Sequence, residues 1–82
     1  MKIKYFAWLK NITGIEFEDI SNENIKDIKS LKFYLTKKYP DLKKYIIEED
    51  IIRVAINLEY SVGNQKLDSS DEIALFPPVS GG

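Results

Sequence analysis

Residues 2–10 alternate along the chain. Ile3, Tyr5, Ala7 and Leu9 share one side of a period-2 pattern, and Lys4, Phe6, Trp8 and Lys10 share the other, which predicts a strand. Asn11 to Gly14 reads as a turn, because Asn and Gly tolerate positive φ. Residues 15–20 alternate again, Ile15 and Phe17 against Glu16 and Glu18, so the first twenty residues predict a β-hairpin. A polar connection, Ser21 to Lys26, leads to Asp27, whose carboxylate suits a helix N-cap. Ile28, Leu31, Leu35 and Tyr39 then recur at helical spacing with Lys29, Lys32 and Lys38 outside, an amphipathic helix of about three turns. Lys37 and Lys38 complement the dipole of its last turn, and Pro40 stops it. Residues 51–57 predict a strand with Ile52, Val54 and Ile56 on one face, followed by a turn at Asn57 and a short strand through Tyr60 and Val62. Gly63-Asn64 is a further turn, and Leu67 is a lone apolar anchor in a polar loop. Residues 72–76 form the last strand, Ile73 and Leu75 inward, Ala74 and Phe76 outward. Pro77 and Pro78 have no N–H with which to extend it.

The order β-β-α-β-β-β predicts an α+β domain: one sheet with one main helix packed on one face. No second helix covers the other face, which would carry Phe6, Trp8, Phe76 and Tyr60. Exposed apolar patches of this kind mark partner sites. The competing reading is that these rings pack on one another, or on the loop around Tyr45 and Ile46.

Composition narrows the chemistry. The 82 residues suffice for one core. A net charge of −1 argues against a phosphate-dominated nucleic-acid binder. The chain has no cysteine and no histidine. It therefore holds no disulfide, no thiolate nucleophile and no imidazole base, and is poorly equipped to be an enzyme alone. Glu48-Glu49-Asp50 and the group Asp68, Asp71 and Glu72 read as solvated acidic loops, with no metal expected; Lys37-Lys38 and Lys43-Lys44 read as a solvated basic face. The apolar run Tyr5–Leu9 is closed by Lys10, too short for a signal peptide. No apolar stretch is long enough to span a membrane, so a cytoplasmic location is expected.

One stretch remains, Phe76-Pro77-Pro78-Val79-Ser80-Gly81-Gly82. A Gly-Gly end has no Cβ atoms and can pass through a narrow channel. What arrives at its tip is an α-carboxylate, a group that can be activated and made to carry another. The plainer reading is a frayed terminus.

These residues resemble a known family. Lys2-Ile3-Lys4-Tyr5-Phe6-Ala7 running into Leu9-Lys10 and Gly14, Asp27-Ile28 with Leu31, Leu35 and Tyr39-Pro40, Val54-Ala55-Ile56-Asn57, then Leu67, Asp71-Glu72-Ile73 and the tail, together resemble the small subunit of molybdopterin synthase. These are MoaD-type sulfur carriers of the ubiquitin-like β-grasp superfamily. Ser70 stands where that family often has Gly. The resemblance implies a single MoaD/ThiS-like β-grasp domain over 1–82, with one mixed sheet and 77–82 as a flexible C-terminal tail. It implies that a ubiquitin-activating-like adenylyltransferase joins AMP to the Gly82 carboxylate, which then becomes a thiocarboxylate. The tail, residues Pro77, Pro78, Val79, Ser80 and Gly81, would thread into the large, catalytic synthase subunit, where the sulfur goes to cyclic pyranopterin monophosphate. No cofactor would be bound; the AMP and thiocarboxylate are transient. Carried over position by position, the partner face is Phe6, Lys10, Tyr60 and Phe76. Alternation alone puts Phe6, Lys10 and Phe76 together, whereas Tyr60 rests on the resemblance. The same tail would serve a carrier for thiamine or transfer-RNA thiolation, or a modifier joined to other proteins. A β-grasp interaction module with no chemistry is the remaining alternative.

Overall fold

A computed structural model describes residues 1–78. Val79, Ser80, Gly81 and Gly82 lie outside the described residues, and with them most of the expected tail. The strands are β1 (Lys2–Tyr5), β2 (Phe17–Asp19), β3 (Arg53–Ile56), β4 (Glu59–Tyr60) and β5 (Glu72–Phe76); the helices are α1 (Leu9–Thr13) and α2 (Ile28–Lys38). Among the described residues the strands form one five-stranded sheet in the order β2-β1-β5-β3-β4. β1 runs parallel to β5, and the other pairs are antiparallel, so the sheet is mixed as expected.

α2 starts where the sequence places it. The Asp27 carboxylate accepts from the Ser30 N–H at 2.8 Å, and Ser30 Oγ accepts from the Asp27 N–H at 3.1 Å, a reciprocal capping box. Hydrogen bonds donated to it by the Ser30 N–H and the Ser30 hydroxyl hold the Asp27 carboxyl below its ordinary range. Asp27→Ala is expected to melt below the parent and Asp27→Asn, which keeps the acceptor, close to it; circular-dichroism melting checks this. Ile28, Leu31 and Leu35 are buried in one cluster with Ile3 of β1 and with Ile73 and Leu75 of the central strand β5. Ile52, Val54 and Ile56 complete that side, in the phase their spacing predicts.

Four local features differ from a plain reading of the sequence pattern. First, the strand does not run to residue 10. The Phe6 N–H donates to the Leu75 carbonyl at 3.1 Å, Ala7 turns the chain at φ +54°, and α1 follows. Gly14, at φ +80°, caps α1 by donating to the Lys10 carbonyl at 2.8 Å. Leu9 and Ile12 stand three apart and both reach the core, a helical pair that the strand reading missed.

Second, β2 shows its apolar side to solvent. Ile3 lies opposite Glu18 and Lys4 opposite Phe17, so Phe17 and Ile15 are exposed while Glu18 faces α2. Third, the strand expected through Val62 ends at Tyr60, and Val62 is exposed. Fourth, residues 40–48 are not a plain loop. A 3₁₀ turn at Pro40–Leu42 and a wide turn at Lys44–Glu48, closed by the Glu49 N–H on the Lys44 carbonyl at 2.8 Å, bury Leu42 and Ile46. Those two are spaced four apart, the helical signal within this stretch.

The inward Glu18 is satisfied on every side. Its carboxylate accepts from the Tyr5 hydroxyl at 2.8 Å, from the Tyr39 hydroxyl and from Lys38 Nζ. Tyr5 and Tyr39 meet edge-on with centroids 6.0 Å apart. This cluster ties edge strand β2 to the last turn of α2.

Candidate docking face and tail root

The face of the sheet away from α2 follows from strand register. One row across the strands reads Phe17, Lys4, Ala74, Ala55 and Tyr60. The small side chains at Ala74 and Ala55 make a trough between larger neighbours. The next row toward the end of β5 holds Phe76 opposite Arg53, with Phe6 alongside. Phe6 and Phe76 stack at a centroid distance of 4.7 Å, and Tyr60 meets Phe76 edge-on at 6.1 Å. Phe6 and Tyr60 keep 41% and 66% of their surface exposed. The rings therefore pack on one another and still present an apolar surface, so the two readings of this face are compatible. A shallow depression beside them is lined by Lys4, Ala55, Leu58, Ala74 and the rings.

Charge surrounds the apolar centre. Lys4 Nζ lies 2.8 Å from the Glu72 carboxylate, and that hydrogen bond, with the lysine's charge, holds Glu72 below the usual glutamate range. Arg53 lies over the Tyr60 ring, 5.8 Å from its centre. Lys10 is half-buried on α1 and 3.7 Å from Glu16. It lines a depression with Phe6 and Phe17, so it neighbours Phe6 through the turn of α1 and not through strand alternation. Trp8 behaves differently: it packs edge-on against Tyr45 at 4.8 Å, on the loop that the alternative reading named.

Pro77 and Pro78 follow Phe76 directly. The tail thus starts at the centre of the aromatic cluster, since Phe76 is both the last residue of β5 and the ring that Phe6 and Tyr60 share. The proposed acceptor atom on Gly82 and the threading residues Val79, Ser80 and Gly81 lie beyond the described residues. Arg53 and Leu58 border the same face; alternation puts Arg53 there, opposite Ile52 and Val54, whereas Leu58 escapes a reading based on alternation alone. The exposed position of Leu58 is set by the β3–β4 turn, which the polar neighbours of Asn57 signal only as a turn.

The sequence profile of the ThiS family matches residues 3–82. The chain belongs to the ThiS family. Among curated relatives of this ThiS-family chain is the molybdopterin synthase sulfur carrier subunit of Dictyostelium discoideum, 35% identical, the alignment covering 99% of this chain and 94% of that one. Among solved structures, small archaeal modifier protein 1 from Haloferax volcanii superimposes with a TM-score of 0.83 at 28% identity, covering 99% of this chain and 97% of the other. The same protein from Methanosarcina acetivorans gives a TM-score of 0.79 at 33% identity, covering 99% and 94%. The ubiquitin-like β-grasp fold expected for a ThiS-family member is the fold observed.

Proposed function

We propose that this chain is the sulfur carrier subunit of a molybdopterin synthase, serving molybdenum cofactor biosynthesis. One observation carries the reading most: the family match runs through Gly81-Gly82, a short Pro-Pro-Val-Ser stretch beyond a strand whose last ring anchors an exposed aromatic face. In this reading the chain supplies an end group, and its partners supply the acids, bases and pocket, in keeping with a sequence that lacks histidine and cysteine.

The Gly82 carboxylate attacks the α-phosphate of ATP in a ubiquitin-activating-like adenylyltransferase. Pyrophosphate leaves, and the acyl-adenylate is formed. A sulfur nucleophile then displaces AMP, and the product is a thiocarboxylate. Adenylation is needed because a free carboxylate is a poor acyl donor. The loaded tail enters the large, catalytic synthase subunit and gives its sulfur to cyclic pyranopterin monophosphate. Phe6, Lys10, Tyr60 and Phe76 dock on that subunit, and Pro77 and Pro78 limit the freedom lost when Val79, Ser80 and Gly81 thread inward. The cycle is cytoplasmic. Among the described residues no helix is long and apolar enough to cross a membrane.

The test is intact mass. With the adenylyltransferase, ATP and a sulfur source, the chain gains the mass of one oxygen-to-sulfur exchange, and a chain lacking Gly82 gains nothing. An unchanged mass with every candidate activating enzyme sinks the reading. The likeness to small archaeal modifier proteins favours a second role as a protein modifier; mass adducts on lysines of other proteins would reveal it.

A further inference from the structure

The β3–β4 hairpin turns through Asn57 and Leu58, both with positive φ, +50° and +71°. Two left-handed central residues define the I′ class of hairpin turn, whose favoured sequence is Asn-Gly. Asn57 fits the first place. It is further held by its side chain, whose amide donates to the Asp71 carboxylate at 2.9 Å and whose carbonyl accepts from the Glu72 N–H at 2.9 Å.

Leu58 does not fit the second place. Leucine in the left-handed region brings Cβ against the following carbonyl, a strain that glycine lacks. Nothing in the fold offsets that strain, because Leu58 is 93% exposed and contributes nothing to the core. A strained backbone and a large apolar side chain in water are both unfavourable to the isolated chain. Strained residues of this kind cluster at binding and active sites. The position says which function: Leu58 borders the trough of Ala55 and Ala74, on the face that carries Tyr60 and Phe76.

We propose that Leu58 is a further partner-binding residue, held out by a strained turn so that it seats in an apolar pocket of the large synthase subunit. The proposal rests on the docking face assigned under the proposed function. It extends that face past Tyr60 to the tip of the hairpin. The expected partner surface has a cleft for the aromatic rings and, beside it, a separate apolar recess.

The experiment compares the full-length chain with Leu58→Gly and Leu58→Asn, both of which suit a left-handed residue. Two readouts are taken: the melting temperature alone, and calorimetric affinity for the purified large subunit. Both variants are expected to melt at or above the parent temperature and to bind about tenfold or more weakly, as for the loss of one buried leucine. Variants that bind as tightly as the parent would overturn the proposal. So would variants that melt well below it, since Leu58 would then be structural. A parent chain that fails to bind the large subunit overturns the docking reading itself, and is told apart by that control.

Discussion

Phe76→Ala is expected to weaken binding to the large synthase subunit about thirtyfold or more while the chain stays folded. Phe76 sits where three effects meet. It stacks on Phe6 at 4.7 Å, touches Tyr60 at 6.1 Å and immediately precedes Pro77. Truncation removes the shared ring, frees Phe6 and Tyr60 to reorient, and loosens the root of the tail. The folding cost is smaller than for a core phenylalanine. Phe76 faces away from α2, so about 1–3 kcal/mol is expected, mostly from lost aromatic pairing, against about 3–5 for a fully buried ring. Calorimetric titration and thermal melting separate the two effects. An unfolded Phe76→Ala chain would make the ring part of the core and remove it from the docking face.

The second large effect concerns stability. Glu18→Ala is expected to cost about 1–3 kcal/mol, roughly 4–8 °C of melting temperature for each kcal/mol, because the buried Tyr5 hydroxyl loses its acceptor. The parent also acquires an acid limb from this residue. Burial works to raise the Glu18 pKa, but hydrogen bonds from Lys38, Tyr39 and Tyr5 outweigh it, and the net direction is down. A depressed folded pKa stabilises the fold above the ordinary glutamate value and loses that contribution as pH falls through the lowered one. Lys38 moves the other way, raised chiefly by its hydrogen bond to Glu18. Its contribution is complete below the ordinary lysine value and is lost as pH rises through the raised one. Melting curves of the parent should fall at both extremes. In Glu18→Ala both limbs should flatten; an unchanged acid limb would assign it to other carboxylates.

The parts of this molecule that the sequence made legible are those where periodicity and punctuation agree. α2 has a capping residue, a clean apolar stripe and a proline stop, and β3 and β5 each keep their branched aliphatic residues on one side. The facing of β2 was not legible because its inward residue is a charge. No pattern along the chain announces that Tyr5, Lys38 and Tyr39, from other elements, will converge on Glu18. The segments 9–13 and 40–48 were misread because each contributes only one or two buried residues, too few for a helical period to stand out from alternation or loop. On the docking face, Phe6 and Phe76 follow from alternation, whereas Lys10 neighbours Phe6 through a helix that alternation did not foresee. Tyr60 came from resemblance, and its contact with Phe76 follows from the Ala55–Tyr60 register.

The sheet order has a mechanical consequence. β5 lies between β1 and β3, bonded to both along its length. A pull on the chain beyond Pro77 acts along β5 and meets both ladders in shear, so their hydrogen bonds share the load instead of opening one at a time. In the proposed reading a carrier is handled by its tail; it is then gripped at a strand held on both sides, so that drawing the end into a partner's active site need not unravel the body behind it.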